Sequence, residues 1–217
     1  NGDEVLYTPN ANWSGTDSFQ FLANDGTVSS EWATVTITVN PVNDAPVIAD
    51  ISKTLDEGAS AEISVSGTDA ESAILVYEIV SAPSNGTFTL DSSTGLGYYT
   101  HNGSETTSDF FVVRAKESTA EVYSANATVT ITVNAVNDSP LSPDGTVTLD
   151  EGTSSQSVSF GASDAEGSSL TINVSSQGSF GTAVVSGGDF VYTHDGSETT
   201  SDTFSYSVSD GTLSSTG

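Results

Sequence analysis

Apolar and polar residues alternate along this chain in short runs, and each run is broken by Gly, Asn, Asp, Ser or Pro. From Thr34 to Val39, Val35, Ile37 and Val39 fall on one face and threonines on the other, and Thr128 to Val133 repeats the arrangement. A period of two is the signature of a strand buried on one side. A second alternating run occurs three times: Phe19, Phe21 and Ala23; Phe111, Val113 and Ala115; Phe204, Tyr206 and Val208. Each copy ends at an acid, respectively Asp25, Glu117 and Asp210. Further strands are expected near Ser52 to Leu55, Ala61 to Val65, Leu75 to Val80, Thr87 to Leu90 and Leu96 to Thr100.

These runs belong to a longer repeat. Val42-Asn43-Asp44-Ala45-Pro46 returns 94 residues later as Val136-Asn137-Asp138-Ser139-Pro140, and Leu55-Asp56-Glu57-Gly58 returns as Leu149-Asp150-Glu151-Gly152. Gly103 to Asp109 returns without change from Gly196 to Asp202, and Tyr7 with Asp17 has the spacing of Tyr99 with Asp109 and of Tyr192 with Asp202. Self-similarity at a fixed period marks a tandem array. The expected organisation is the C-terminal part of a first repeat over 1–44, a complete repeat over 45–138, and a third over 139–217 without its last strand. Seven strands in one repeat predict an all-β chain of tandem immunoglobulin-like, cadherin-like Greek-key β-sandwiches.

Composition narrows the chemistry. The 217 residues carry 29 Asp and Glu against 3 Lys and Arg, a formal net charge of -26, and no Cys. Such a field repels phosphate backbones and anionic lipid heads, so nucleic acid and membrane surfaces are poor partners and cations are good ones. Without Cys there is no disulfide framework and no thiolate zinc site. No run approaches the roughly 20 apolar residues of a membrane-spanning helix.

The run Glu105-Thr-Thr-Ser-Asp-Phe-Phe111-Val-Val113-Arg-Ala115-Lys-Glu117 resembles the cadherin stretch in which a Glu precedes an alternating strand that ends in an acid. Val42 to Pro46 resembles the cadherin interdomain linker, and Asp69-Ala70-Glu71 the acidic loop after the second strand. Tyr192 to Asp202 and Tyr7 to Asp17 are similar to bacterial cadherin-like and chondroitin sulfate proteoglycan repeats. The resemblance implies non-enzymatic extender or stalk repeats of a large secreted or cell-surface adhesin. Its partners would be neighbouring repeats of the same protein, with homophilic or filament contacts.

The acids have a physical reading of their own. Linkers of a few residues bring the acidic loops of successive repeats together, where each pair of carboxylates repels by about 1 to 4 kcal/mol. Ca2+, which takes six to eight oxygen ligands, reverses the sign. For the second linker the candidate ligands are Asp56, Glu57, Glu105, Glu117, Asn137, Asp138, Asp164 and Glu166. For the first they are Asp17, Asp25, Asn43, Asp44, Asp69 and Glu71, with Trp13 standing where Glu105 stands in the next repeat. Arg114 and Lys116 flank Glu117 and would oppose an ion there. Asp and Asn are equally at home in turns, where they accept local backbone hydrogen bonds, so solubility and turn formation stand as the alternative.

Other chemistry lacks its parts. His101 and His194 occupy equivalent positions a whole repeat apart, and no Gly-x-Ser-x-Gly elbow accompanies them. Paired carboxylates could serve glycoside hydrolysis only in a cleft, which a small sandwich does not offer. Trp13 and Trp32 could stack on sugar rings, making a carbohydrate-binding module the second reading. A third repeat short of one strand also invites a strand from another chain, and hence a self-assembling extracellular filament.

Overall fold

The computed structural model describes residues 4–217, which form sixteen strands joined by turns and no helix. They gather into two compact units: one takes the chain up to Leu55 with residues 60–102 and 108–132, the other residues 56–59, 103–107 and 133–217.

The first unit opens with the hairpin of β1 (Gly15–Phe21) and β2 (Ala33–Val39), whose antiparallel register sets Phe19 opposite Val35. There follow β3 (Val47–Ile48), β4 (Ile51–Asp56), β5 (Ser60–Ser64), β6 (Gly67–Thr68), β7 (Leu75–Ser81), β8 (Gly86–Leu90), β9 (Leu96–His101), β10 (Ser108–Glu117) and β11 (Ala127–Asn134). They build a four-stranded sheet in the order β4-β11-β10-β7, a three-stranded sheet β5-β9-β8 and the short pair β3-β6. Alternation decides the core: Phe111, Val113 and Ala115 of β10 and Val129 and Ile131 of β11 are fully buried, with Tyr99 of β9 and Val65 beside them. The Phe88 and Tyr99 rings lie 4.3 and 6.0 Å from that of Phe111.

The second unit holds β12 (Thr171–Ser176), β13 (Gly181–Ser186), β14 (Asp189–His194), β15 (Ser205–Ser209) and β16 (Ser214–Thr216). β12, β15 and β16 form one sheet and β13 and β14 another, around Phe190, Tyr206 and Val208 with Phe160 and Phe204 packed against them. All seven strands expected of the complete repeat are present. The sequence reading misses β3 and β6, since two-residue strands are too short to show a period.

The repeated Tyr and Asp turn out to be a bonded pair. Tyr7 donates to Asp17 at 2.9 Å, Tyr99 to Asp109 at 2.9 Å, and Tyr192 to Asp202. In the complete repeat the carboxylate also takes the N–H groups of Ser84 (3.0 Å), Asn85 (2.8 Å) and Phe110 (2.8 Å), and in the third those of Ser179 (2.9 Å), Phe180 (2.8 Å) and Thr203 (2.9 Å). The Asp therefore ties the start of the strand to the loop before β8 or β13. Burial pushes Asp109 up, but these four donors bring it below the usual carboxylate range. Asp202 is held near about 2, chiefly by the Tyr192 hydroxyl, while burial and then Asp202 push the Tyr192 phenol up to about 12.

A depressed folded-state pKa means the unfolded chain binds the proton more readily. The stabilisation from Asp202 is complete above the ordinary Asp range and is lost as the pH falls from about 4 to about 2. Replacing Tyr192 by Phe is expected to lower the melting temperature of the second unit at pH 5 and to make little difference at pH 2. Melts of both proteins across that range check it, and a difference independent of pH would refute it.

Candidate metal centre

β4 ends at Asp56, and the turn that follows is pinned to the end of β11. Glu57 N–H donates to the Asn134 carbonyl at 2.9 Å, the Asn134 amide donates to Asp56 Oδ1 at 2.9 Å, and Val136 N–H reaches Glu57 Oε2 at 3.4 Å. Gly58 closes the turn at φ +67°, a conformation that disfavours any residue with a side chain. Glu57 is thereby aimed at the linker rather than left to swing free.

Single carboxylate oxygens of Glu57, Glu105 and Asp138 lie within 4.8 Å of one another. Asp164 and Glu166 come from the loop before β12. Glu166 Oε1 accepts the Asp138 N–H at 2.8 Å, and Asp164 Oδ1 accepts that of Ser168 at 2.8 Å. Partial desolvation, then the charges of Glu57, Glu166, Asp138 and Asp164, raises the Glu105 pKa. Five carboxylates thus share one field.

Three of their oxygens carry the chemistry of the site. Glu57 Oε1, Asp164 Oδ2 and Glu166 Oε2 are buried and have no hydrogen-bond partner. Buried polar atoms in folded proteins are nearly always paired, so these three oxygens are acceptors open to a cation or to ordered water. Carboxylate oxygens in irregular loops are the donor set of a hard divalent cation. The residues present fit calcium.

At the first linker the same device recurs. Asn43 donates its side-chain amide to Glu117 Oε1 at 2.6 Å, and Asp44 N–H donates to Glu71 Oε2 at 2.9 Å. In the second linker Asn137 donates to Asp210 Oδ2 at 2.7 Å, beside the Asp138–Glu166 bond. Asp69 Oδ1 accepts the N–H groups of Glu71 and Ala73, while its Oδ2 is buried and unpartnered. Asp44 and Asp69 line a cavity of about 410 Å³ together with Asn12. Sequence reasoning passed over Asn12, although it stands next to Trp13 at the Glu105 position.

Several expected ligands lie elsewhere. Glu117 joins the linker before its own repeat, through Asn43, and not the group around Glu105. Ten residues of β10 span about 30 Å, so an acid just before the strand and an acid at its end cannot serve one ion. Arg114 and Lys116, expected to oppose an ion at Glu117, have acidic partners of their own. They occupy the strand face opposite buried Glu117, pair with Glu78 and Glu121, and lie over the Tyr123 ring at 4.0 and 5.5 Å. Asp25, in the same strand-end position as Glu117, instead caps its own turn at the N–H groups of Thr27 and Val28 (both 2.8 Å), which lower its pKa. Asp17 is taken by Tyr7 and by Ser18 N–H, and Asp56 by Asn134.

The histidines serve turns or core. His194 Nδ1 accepts from Gly152 (3.3 Å) and Gly196 (3.1 Å), its Nε2 pairs with Thr199 at 3.0 Å, and His101 is buried. Trp13 and Trp32 are 37% and 64% exposed. No helix among the described residues is long and apolar enough to cross a membrane.

Comparison with known proteins agrees with this architecture. The chain is 42% identical over 65 residues to an integrin beta-like protein B of Dictyostelium discoideum, a match that covers 30% of this chain and 3% of that protein. Among solved structures it is similar to mouse cadherin-23 EC22-24, with TM-score 0.59 and 19% identity, over 93% of this chain and 71% of that one. It is also similar to protocadherin gamma B2 extracellular cadherin domains 1-5, with TM-score 0.54 and 16% identity, over 96% of this chain and 50% of that one. At these identities the likeness concerns the fold. A bacterial Ig domain profile matches residues 1–38, 43–132 and 137–217, which together take in nearly all of the sequence. The chain therefore belongs to the bacterial Ig domain family, as tandem β-sandwich repeats with a cadherin-like fold.

Proposed function

We propose that these repeats are a non-enzymatic extender of a secreted or surface-anchored adhesion protein, stiffened by calcium bound at the linkers. The repeats are taken as 1–44, 45–138 and 139–217, each working through its neighbours. The observation that carries the reading is the set of unpartnered buried oxygens on Glu57, Asp164 and Glu166, whose charges act on Glu105 together with that of the linker residue Asp138. These five would hold the ion at the second linker, and Asp69, Asp44 and Asn12 would offer a poorer set at the first.

The ion would neutralise like charges and cross-link a linker residue to loops on either side of it in sequence, so a hinge becomes a joint. Extracellular calcium modules work at Kd near 10⁻⁴ to 10⁻³ M, which suits a stalk that stiffens outside the cell. Small-angle scattering with and without calcium tests the mechanical half: the longest dimension should grow and its spread narrow when calcium is added. An unchanged profile would leave the acids with no stiffening role.

Glu105 offers a test with two signs. Glu105→Gln removes one ligand and one repelling charge together. In chelator the variant is expected to melt a few degrees above the parent, and its calcium affinity should fall by roughly tenfold. A variant that melts lower than the parent both with and without calcium would show that Glu105 is a packing residue.

A further inference from the structure

β10 buries its odd-numbered residues and turns the even-numbered ones outward, so Phe110, Val112, Arg114 and Lys116 share the outer face of its sheet. In the register with β7, Arg114 stands opposite Glu78 and pairs with it, while Lys116 stands opposite Val76 and pairs with Glu121 of the following loop. Phe110 is 62% exposed. Val80, the extra residue of a bulge opposite Val112 and Val113, is exposed as well.

The other repeats show that the fold does not require such a face. The third keeps the inward pattern, with Phe204, Tyr206 and Val208 where Phe111, Val113 and Ala115 stand, but its outward residues are Thr203, Ser205, Ser207 and Ser209. Asn173 stands opposite Ser207 there, as Glu78 stands opposite Arg114. In the first repeat the outward positions are Ser18, Gln20, Leu22 and Asn24, again without charge. The aromatic ring and the two cations are therefore particular to the complete repeat, and the core beneath them folds equally well under hydroxyls.

Charge identifies the occupant. Two of the three cations in a chain of net charge -26 lie on this face, each matched by one carboxylate. Copies of so acidic a chain repel one another over most of their surface, whereas this face is locally neutral. A simple anion gains little here, because both cations already hold a carboxylate. A second copy presenting the same face across a two-fold axis sets cations against carboxylates in both directions and leaves no charge unpaired.

We infer that the outer face of β10 and β7 in the complete repeat is a self-association surface, where two copies of the chain meet as an isologous pair. Phe110 of each copy packs on Val112 and Val80 of the other, and the ion pairs exchange partners at the rim. One sheet face of this size is smaller than a standard interface of about 800 Å² per partner, so the pair is weak and reversible. None of the acids assigned to calcium lies on this face, so the association stands apart from that reading.

Sedimentation equilibrium of the intact chain from about 10 µM to about 1 mM, in 0.15 M salt to screen the long-range repulsion, tests the inference. A monomer–dimer equilibrium with Kd on the order of 10⁻⁴ M is expected in calcium and in chelator alike. The double variant Phe110→Thr with Val112→Ser takes the residues that the third repeat has at Thr203 and Ser205. It should associate at least about tenfold more weakly while melting within a few degrees of the parent. Arg114→Ser leaves Glu78 without its partner and makes both faces negative, so association should weaken by about threefold or more. Lys53→Ser, which removes the cation that lies outside this face, should leave association unchanged. A monomer throughout the range would overturn the assignment and leave the face to a partner of another chemistry. Dimers as tight in the double variant as in the parent, or an equal loss in Lys53→Ser and Arg114→Ser, would overturn it too.

Discussion

Excess chelator is expected to lower the melting temperature of this chain by about 10 to 20 °C relative to 10 mM calcium. The size follows from mass action for a site with Kd near 10⁻⁴ M: 10 mM calcium is then about 100 times Kd and stabilises the folded state by about 2.7 kcal/mol. Each kcal/mol moves the midpoint of a unit of this size by about 4 to 8 °C. The second unit should carry most of the shift, since Glu57, Glu105, Asp138, Asp164 and Glu166 all belong to it. Magnesium at the same concentration should recover less than half of the effect, because it demands a stricter octahedron and gives up water reluctantly. A scanning melt in the three conditions decides the matter, and superimposable curves would remove calcium from the account.

The second large effect concerns the fold and not the ion. Asp109→Ala is expected to destabilise the first unit by about 3 kcal/mol or more. The carboxylate is 5% exposed and accepts four hydrogen bonds, from Ser84, Asn85, Phe110 and the Tyr99 hydroxyl. Removing it leaves the Tyr99 hydroxyl, itself fully buried, without its carboxylate and frees the loop before β8 from β10. Tyr99→Phe deletes only one of those bonds and should cost about 1 kcal/mol. Denaturant melts of the two variants measure both. If Asp109→Ala unfolds at the parental midpoint, the Tyr–Asp pair is not what holds the strand to the loop.

The strands were legible because a half-buried sheet writes its period directly into the sequence. The run of β11, Ala-Thr-Val-Thr-Ile-Thr-Val-Asn, buries its Val and Ile and leaves Thr130 and Thr132 to solvent. The recurrence of the linker and of the Asp-Ala-Glu loop also identified most of the second acidic cluster. What the repeat could not reveal was the end of the sandwich on which each acid lies. Glu105 and Glu117 sit twelve positions apart in one motif, yet the strand between them carries them to different linkers.

The division of labour between the two oxygens of one carboxylate was also out of reach. Asp69 and Asp164 each spend one oxygen on a backbone N–H and keep the other bare. In the sequence they are indistinguishable from Asp25, whose Oδ1 closes an ordinary turn. Tyr99 and Asp109 recur with the same regularity as the linker acids, so recurrence alone did not separate a structural pair from a binding one. Only the hydrogen-bond partners do.

The most direct test of the account is a calorimetric calcium titration of the intact chain beside a double variant, Glu57→Gln with Asp138→Asn. The account predicts saturable binding with Kd near 10⁻⁴ to 10⁻³ M in the parent, and loss of the tighter site in the variant while both proteins retain their strand content. Dilution heats alone up to 10 mM calcium, or the same isotherm in both proteins, would contradict it.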